Sequence, residues 1–259
     1  MINTKTNTGL KLFFFFGILL VIKACNTEES FTFEKQNVAV EKLLDCKDDD
    51  CASLDINLLK IIDDKPVCKK INTEIEKVAC AILNVGENKP QETVKAAVVE
   101  FNESYKDMRV EFPDEIPPYE VSITSELSFQ CKSMVSVIMD SYVFTGGAHG
   151  YGGISFINIE TKTGKRIPNK DLFKRYSDFI TYAEKVFRSK FEILENESIN
   201  STGFFFEDEK FSLPENIGFT NTEVILYYNP YEISSYAEGP VEIKIKKEDV
   251  ASYFAFDIL

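Results

Sequence analysis

The sequence predicts an α+β protein, with a smaller N-terminal α+β domain followed by a C-terminal domain of mainly antiparallel sheet and packed helices. Three observations carry this prediction. Segments with apolar residues at helical spacing are set apart from runs that alternate like strands, which suits segregated helices better than a wound parallel sheet. The 259 residues, 44% of them hydrophobic, suffice for one large core or two ordinary ones. A charged fraction of 27%, beside 22 Phe and 11 Tyr, argues against a disordered chain.

Taken in order, residues 1–24 read as a targeting segment. Lys5 and Lys11 give a basic start, and Leu12 to Ile22 form an apolar run. As a helix that run reaches only about 16 Å, too short for a bilayer core. Ile22-Lys23-Ala24-Cys25 resembles the lipobox of bacterial lipoproteins, which makes Cys25 the expected lipidation point and the lipid the only membrane contact. Lys23 departs from the small residue usual at that place. Removing residues 1–24 and their three lysines takes the formal charge from −13 to −16. Residues 25–30 form a short acidic tether, similar to the export tags that carry some lipoproteins to the outer face of the outer membrane. The expected location is the cell envelope, lipid-anchored on the periplasmic or surface face of the outer membrane.

The N-terminal domain is expected over 31–126. Cys46 and Cys51 flank a polar four-residue loop and are a candidate disulfide, since exported thiols generally pair. Cys68, Cys80 and Cys131 leave one further pair and one free thiol, with the pairing open. The cysteine spacings match structural zinc motifs poorly, and no metal or cofactor is expected. Ser53 to Ile62 starts with strand alternation and closes at Pro66. Ile71, Ile75, Val78, Ala79 and Ile82 fall at helical spacing, and a second helix beginning near Pro90 aligns Val94, Ala97, Val98, Phe101 and Tyr105. Three prolines between Pro113 and Pro118 make a connector.

The C-terminal domain is expected over 127–259. Strands are predicted at Tyr119–Gln130, Met134–Phe144, Ile154–Ile159, Gly218–Tyr228 and Val241–Ile245. A helix carries Phe179, Tyr182, Ala183, Val186 and Phe187 on one face. Phe204-Phe205-Phe206 cannot all face one core from a single strand, so either a loop buries them or part is exposed.

Two clusters are candidates for function. Thr145, Gly146, Gly147 and His149 lie in the stretch Tyr142 to Gly153, which holds five of the 12 glycines within eight positions. Such a backbone turns sharply or approaches another backbone closely. It lacks the endings of a phosphate loop or a dinucleotide fingerprint. His149 is the only histidine, and its open readings are a structural hydrogen-bonding group, a ligand contact or an acid-base residue. The second cluster, Tyr227 to Pro240, alternates aromatics with turn-formers and includes Tyr231, Glu232 and Tyr236. It suits a corner of the core or a recognition surface. The two clusters are expected to be neighbours that join non-adjacent strands.

Thr-Gly-Gly-Ala-His-Gly, then Thr163-Gly164-Lys165, Asp171-Leu172-Phe173, and Asn229-Pro230-Tyr231-Glu232-Ile233 with Tyr236 and Gly239 together resemble the RsiV-type extracellular domain. That domain occurs in the anti-sigma factor RsiV and in the non-catalytic part of the peptidoglycan deacetylase PdaC. The resemblance covers roughly Ser128 to the C terminus and implies an α+β extracytoplasmic domain. In the anti-sigma factor it implies lysozyme binding. Neither anti-sigma nor deacetylase activity is expected to carry over, because the export signal comes first, no room follows the last strand, and one His cannot assemble an Asp-His-His metal site.

The acidic balance argues against a nucleic-acid binder, since phosphate neutralisation needs clustered Lys and Arg. No nucleophile elbow, His-Glu-x-x-His or Cys-His context is present, and no catalytic residue is assigned. The leading expectation is a non-catalytic envelope lipoprotein that binds a basic protein such as a lysozyme-like muramidase, or a cell-wall ligand. The alternatives are an envelope enzyme acting on peptidoglycan or another glycan, with carboxylate pairs such as Glu232 and Glu238 or Glu207 and Glu209, and a structural or assembly lipoprotein.

Overall fold

The computed structural model describes residues 30–46, 50–113 and 116–259. The export segment and Cys25 lie outside the described residues, as does the tether up to residue 29.

One sheet has the order β1 (Phe33–Asn37), β2 (Ser53–Ile61), β3 (Glu120–Gln130), β4 (Met134–Phe144) and β5 (Tyr151–Glu160). All neighbours are antiparallel except β2 and β3. A parallel pair needs a long crossover, and helices α1 (Pro66–Leu83) and α2 (Val94–Glu111) supply it. Pro66 opens α1, where the missing N–H would have no helical partner anyway. Thr93 caps α2 by accepting from the Ala96 amide at 3.3 Å. Ile71, Ile75 and Ala79 of α1 and Val98, Phe101 and Tyr105 of α2 are buried with Ile56, Ile123 and Val137 of the sheet in one core. Asn72 of α1 also brackets Ile61, accepting from its amide at 2.8 Å and donating to its carbonyl at 3.0 Å.

A second core follows. Helix α3 (Tyr176–Lys190) packs with a three-stranded antiparallel sheet of β6 (Asn216–Phe219), β7 (Glu223–Tyr228) and β8 (Val241–Lys246), and a short α4 (Lys247–Val250) follows β8. Phe187 lies among Phe191, Phe204, Phe206, Phe211 and Tyr228, and Phe173 joins Phe179 and Phe254. Phe129 and Met134, from the tip of the β3–β4 hairpin, are buried in this same core.

The structure adjusts several expectations. The boundary at 126/127 falls inside β3, where Glu126 and Leu127 pair with Ile138 and Val137, so one hydrogen-bonded sheet runs through it. Gly218–Tyr228 is two strands, broken where Thr220 accepts from the amides of Thr222 and Glu223. Strand β5 begins at Tyr151 and runs through Gly152 and Gly153. Cys46 and Cys51 form a disulfide, as expected. Cys68, Cys80 and Cys131 are all free thiols, which corrects the second pair. Cys68 and Cys80 share α1, and twelve residues of helix separate them by about 18 Å, beyond any disulfide. Of the three adjacent phenylalanines, Phe204 and Phe206 pack into the core and Phe205 turns outward at 48% exposure.

Candidate functional site

The glycine-rich turn between β4 and β5 meets the loop between β7 and β8, so the two sequence clusters are neighbours. Each is a hairpin connection between adjacent strands, which corrects the expectation that they join non-adjacent ones. Gly146 and Gly147 have φ of +92° and +86°, the left-handed region that glycine occupies without penalty. Gly150 is needed for another reason: a Cβ there would run into the ring of Tyr142.

Three rings form a ladder across the junction. His149 stacks on Tyr236 with centroids 4.0 Å apart and planes 15° apart. Tyr231 stacks on Tyr236 at 5.5 Å and 29°. The Tyr236 hydroxyl donates to the Gly150 carbonyl at 3.0 Å, and the same carbonyl lies 2.9 Å from His149 Nδ1. Tyr231 is 55% exposed and holds φ at +70°, an unusual conformation for a tyrosine. Such strain persists only where the surroundings enforce it, and here the next residue supplies the clamp.

That residue is Glu232. Its carboxylate accepts from the Glu215 amide at 2.8 Å and from the Asn229 amide at 2.9 Å. Burial pushes its pKa up, while the two amides pull against that shift. Both oxygens thus fix the loop. Glu238 likewise closes a capping box with Ser235, and Glu209 accepts from the Ser198 hydroxyl at 2.8 Å. Three of the four acids considered for glycan chemistry are therefore engaged in holding turns.

Asn229 and Asn216 attach the second sheet to the free edge of β5. Asn229 accepts from the Ile154 amide at 2.8 Å and donates to the Ile154 carbonyl at 2.9 Å. Asn216 accepts from the Phe156 amide at 3.1 Å, and Asn158 donates to the Ile217 carbonyl at 2.7 Å. Thr145 stands apart from the ring ladder; with Tyr151, Asn229 and Val85 it lines a hollow of about 340 Å³ beside the end of α1. Tyr151 and Tyr142, exposed at 43% and 40%, enlarge the aromatic surface here. Sequence reasoning placed Tyr142, Tyr151 and Asn229 within its two clusters but gave them no role, and did not find Asn229 as the residue joining the sheets. The glycines at 150 and 153 were the available signal, since a Cβ at the first would meet the Tyr142 ring and one at the second would crowd Tyr151 and Asn229.

The fold and this junction define an α+β protein in which two sheets meet through side-chain amides and a stacked aromatic loop. Residues 46–151 match the family model described as Deacetylase PdaC, and residues 170–248 match the Protein of unknown function family DUF3298. The two matches, in this order on one chain, bear out the resemblance to the RsiV-type family. The first match continues through β4 to Tyr151, past the expected boundary at 126/127. A crystal structure of a DUF3298 family member from Bacteroides fragilis superimposes with a TM-score of 0.66 at 20% identity, covering 88% of this chain and 95% of that one. A DUF3298 family protein from Pseudomonas aeruginosa gives 0.61 at 19% identity, covering 90% and 98%. These likenesses establish the fold. Comparison with curated proteins finds no match.

Proposed function

We propose that this protein is a non-catalytic cell-envelope lipoprotein, anchored through Cys25, that binds an extracytoplasmic partner at the junction of the two hairpins. The matched regions fit a non-catalytic envelope protein. The observation that carries the binding reading is the ring ladder. Tyr231 offers an exposed, conformationally fixed aromatic surface, and the carboxylate beside it is spent on backbone amides. Rigid tyrosines with few rotatable bonds give large contact area at low entropic cost. The favoured partner is a basic protein such as a lysozyme-like muramidase; a peptidoglycan-related ligand is the next choice. Net charge of −13 speeds encounter with a basic partner more than it adds affinity.

A pull-down with a basic lysozyme at low and at physiological salt tests the partner, with saturable binding expected at both. Absence of binding at every salt removes lysozyme. Incubation with purified peptidoglycan tests the enzyme alternative. Muropeptide release that disappears in a single carboxylate variant would replace the binding reading with a catalytic one.

A further inference from the structure

Apart from the hairpin junction, the molecule has a cavity of about 580 Å³ between β1, the turn that follows it, β2, the middle of α1 and the N-terminal end of α2. Its size lies within the range that takes small organic ligands. The apolar part of its wall comes from Val38, Leu43, Leu58, Leu59 and Val94. Its charges invert the balance of the chain: Lys42, Lys60 and Lys95 stand there against one acid, Glu76, whereas the whole protein carries 29 Lys+Arg against 42 Asp+Glu.

Lys60 meets only the neutral side chain of Gln36, at 3.2 Å. Among the described residues, Lys42 and Lys95 form no ion pair despite the excess of acid. Three cations without anionic partners around one apolar hollow are complementary to an anion with an aliphatic body.

We propose that this cavity binds an aliphatic organic anion, the chain lying against Leu58, Leu59 and Val94 and the headgroup meeting the lysines. A carboxylate and a phosphate monoester share this chemistry, and the test separates them. Decanoate, decyl phosphate, decanol and inorganic phosphate are titrated calorimetrically into the full-length protein and into a Lys42→Gln/Lys60→Gln/Lys95→Gln variant. The lysines sit at the rim, so the variant keeps the wild-type circular dichroism and melting profile. A Lys69→Gln variant on the exposed side of α1 serves as a charge control.

Saturable binding of decanoate or decyl phosphate is expected, the tighter of the two identifying the headgroup, with decanol and inorganic phosphate weaker. The triple variant should lose about tenfold in affinity for the anions, as three solvent-screened ion contacts would provide, and Lys69→Gln should lose none. The proposal is overturned if neither amphiphile saturates, if inorganic phosphate binds as well as decyl phosphate, or if the triple variant binds the anions unchanged.

Discussion

The side chain of Asn229 binds both backbone polar groups of Ile154, imitating at the edge of β5 the pairing a sixth strand would make. An unpaired strand edge is a liability, and this amide both covers it and fixes the loop that carries Tyr231. Asn229→Ala should therefore lower stability by about 1–2 kcal/mol, because it leaves a half-buried N–H and C=O without partners. A shift of the urea midpoint at unchanged slope would register that loss.

The glycines at the two ends of this junction should behave differently. A Cβ on Gly218 meets the ring of Phe156 inside the structure, so Gly218→Ala should cost about 1–3 kcal/mol through overpacking. A Cβ on Gly147 meets nothing within 4 Å, leaving only the strain of its positive φ, and Gly147→Ala should cost about 1 kcal/mol. Thermal melts of the two variants should rank in that order.

Tyr236→Phe keeps the ring between His149 and Tyr231 and removes only the hydroxyl bond to Gly150. Its expected cost is about 0.5–1.5 kcal/mol, the usual net worth of one hydrogen bond. Tyr236→Ala, which also deletes both stacking contacts, should be clearly worse in the same denaturation series.

Lys247 gives a prediction in pH. It is 2% exposed, its Nζ lies 3.1 Å from the centre of the Phe129 ring, and it finds no hydrogen-bond acceptor among the described residues. Burial pushes its pKa from 10.5 down to about 8, with Cys131 pulling the other way. A base with a lowered folded pKa destabilises the protein fully below that value, and the penalty fades as pH rises toward the unfolded value. The cation–π contact does not offset the lost hydration. Lys247→Met should therefore stabilise the protein by about 1–3 kcal/mol at pH 7. That advantage should shrink between pH 8 and 10.5, as read from denaturation curves across the range.

The parts of this fold that were legible in the sequence are those where one face is buried. The stripe of Ile71, Ile75 and Ala79 marked α1, and Val-Glu-Ile-Lys-Ile marked β8, because burial imposes the helical period of 3.6 or the strand period of 2. Strand β1 gave no such signal: Phe33 is its one apolar residue, and the other four are exposed along the sheet edge. The break between β6 and β7 was hidden since Thr220 and Thr222 are good strand formers, and the turn is made by a side-chain hydroxyl. The two halves of the candidate site were visible as a glycine cluster and a tyrosine cluster. Their joining through Asn229 was not, because a long-range side-chain bond leaves no periodic trace.

The most direct test of the account is an equilibrium titration of a basic lysozyme against the purified full-length protein and its Tyr231→Ala variant, at low and physiological salt. Wild-type protein is predicted to bind saturably, and the variant to stay folded, losing no more than about 1 kcal/mol with its one stacking contact, yet to bind at least about tenfold more weakly, as removal of an exposed aromatic anchor would dictate. Equal affinity of the two proteins, or saturable binding by neither, would contradict recognition through this loop.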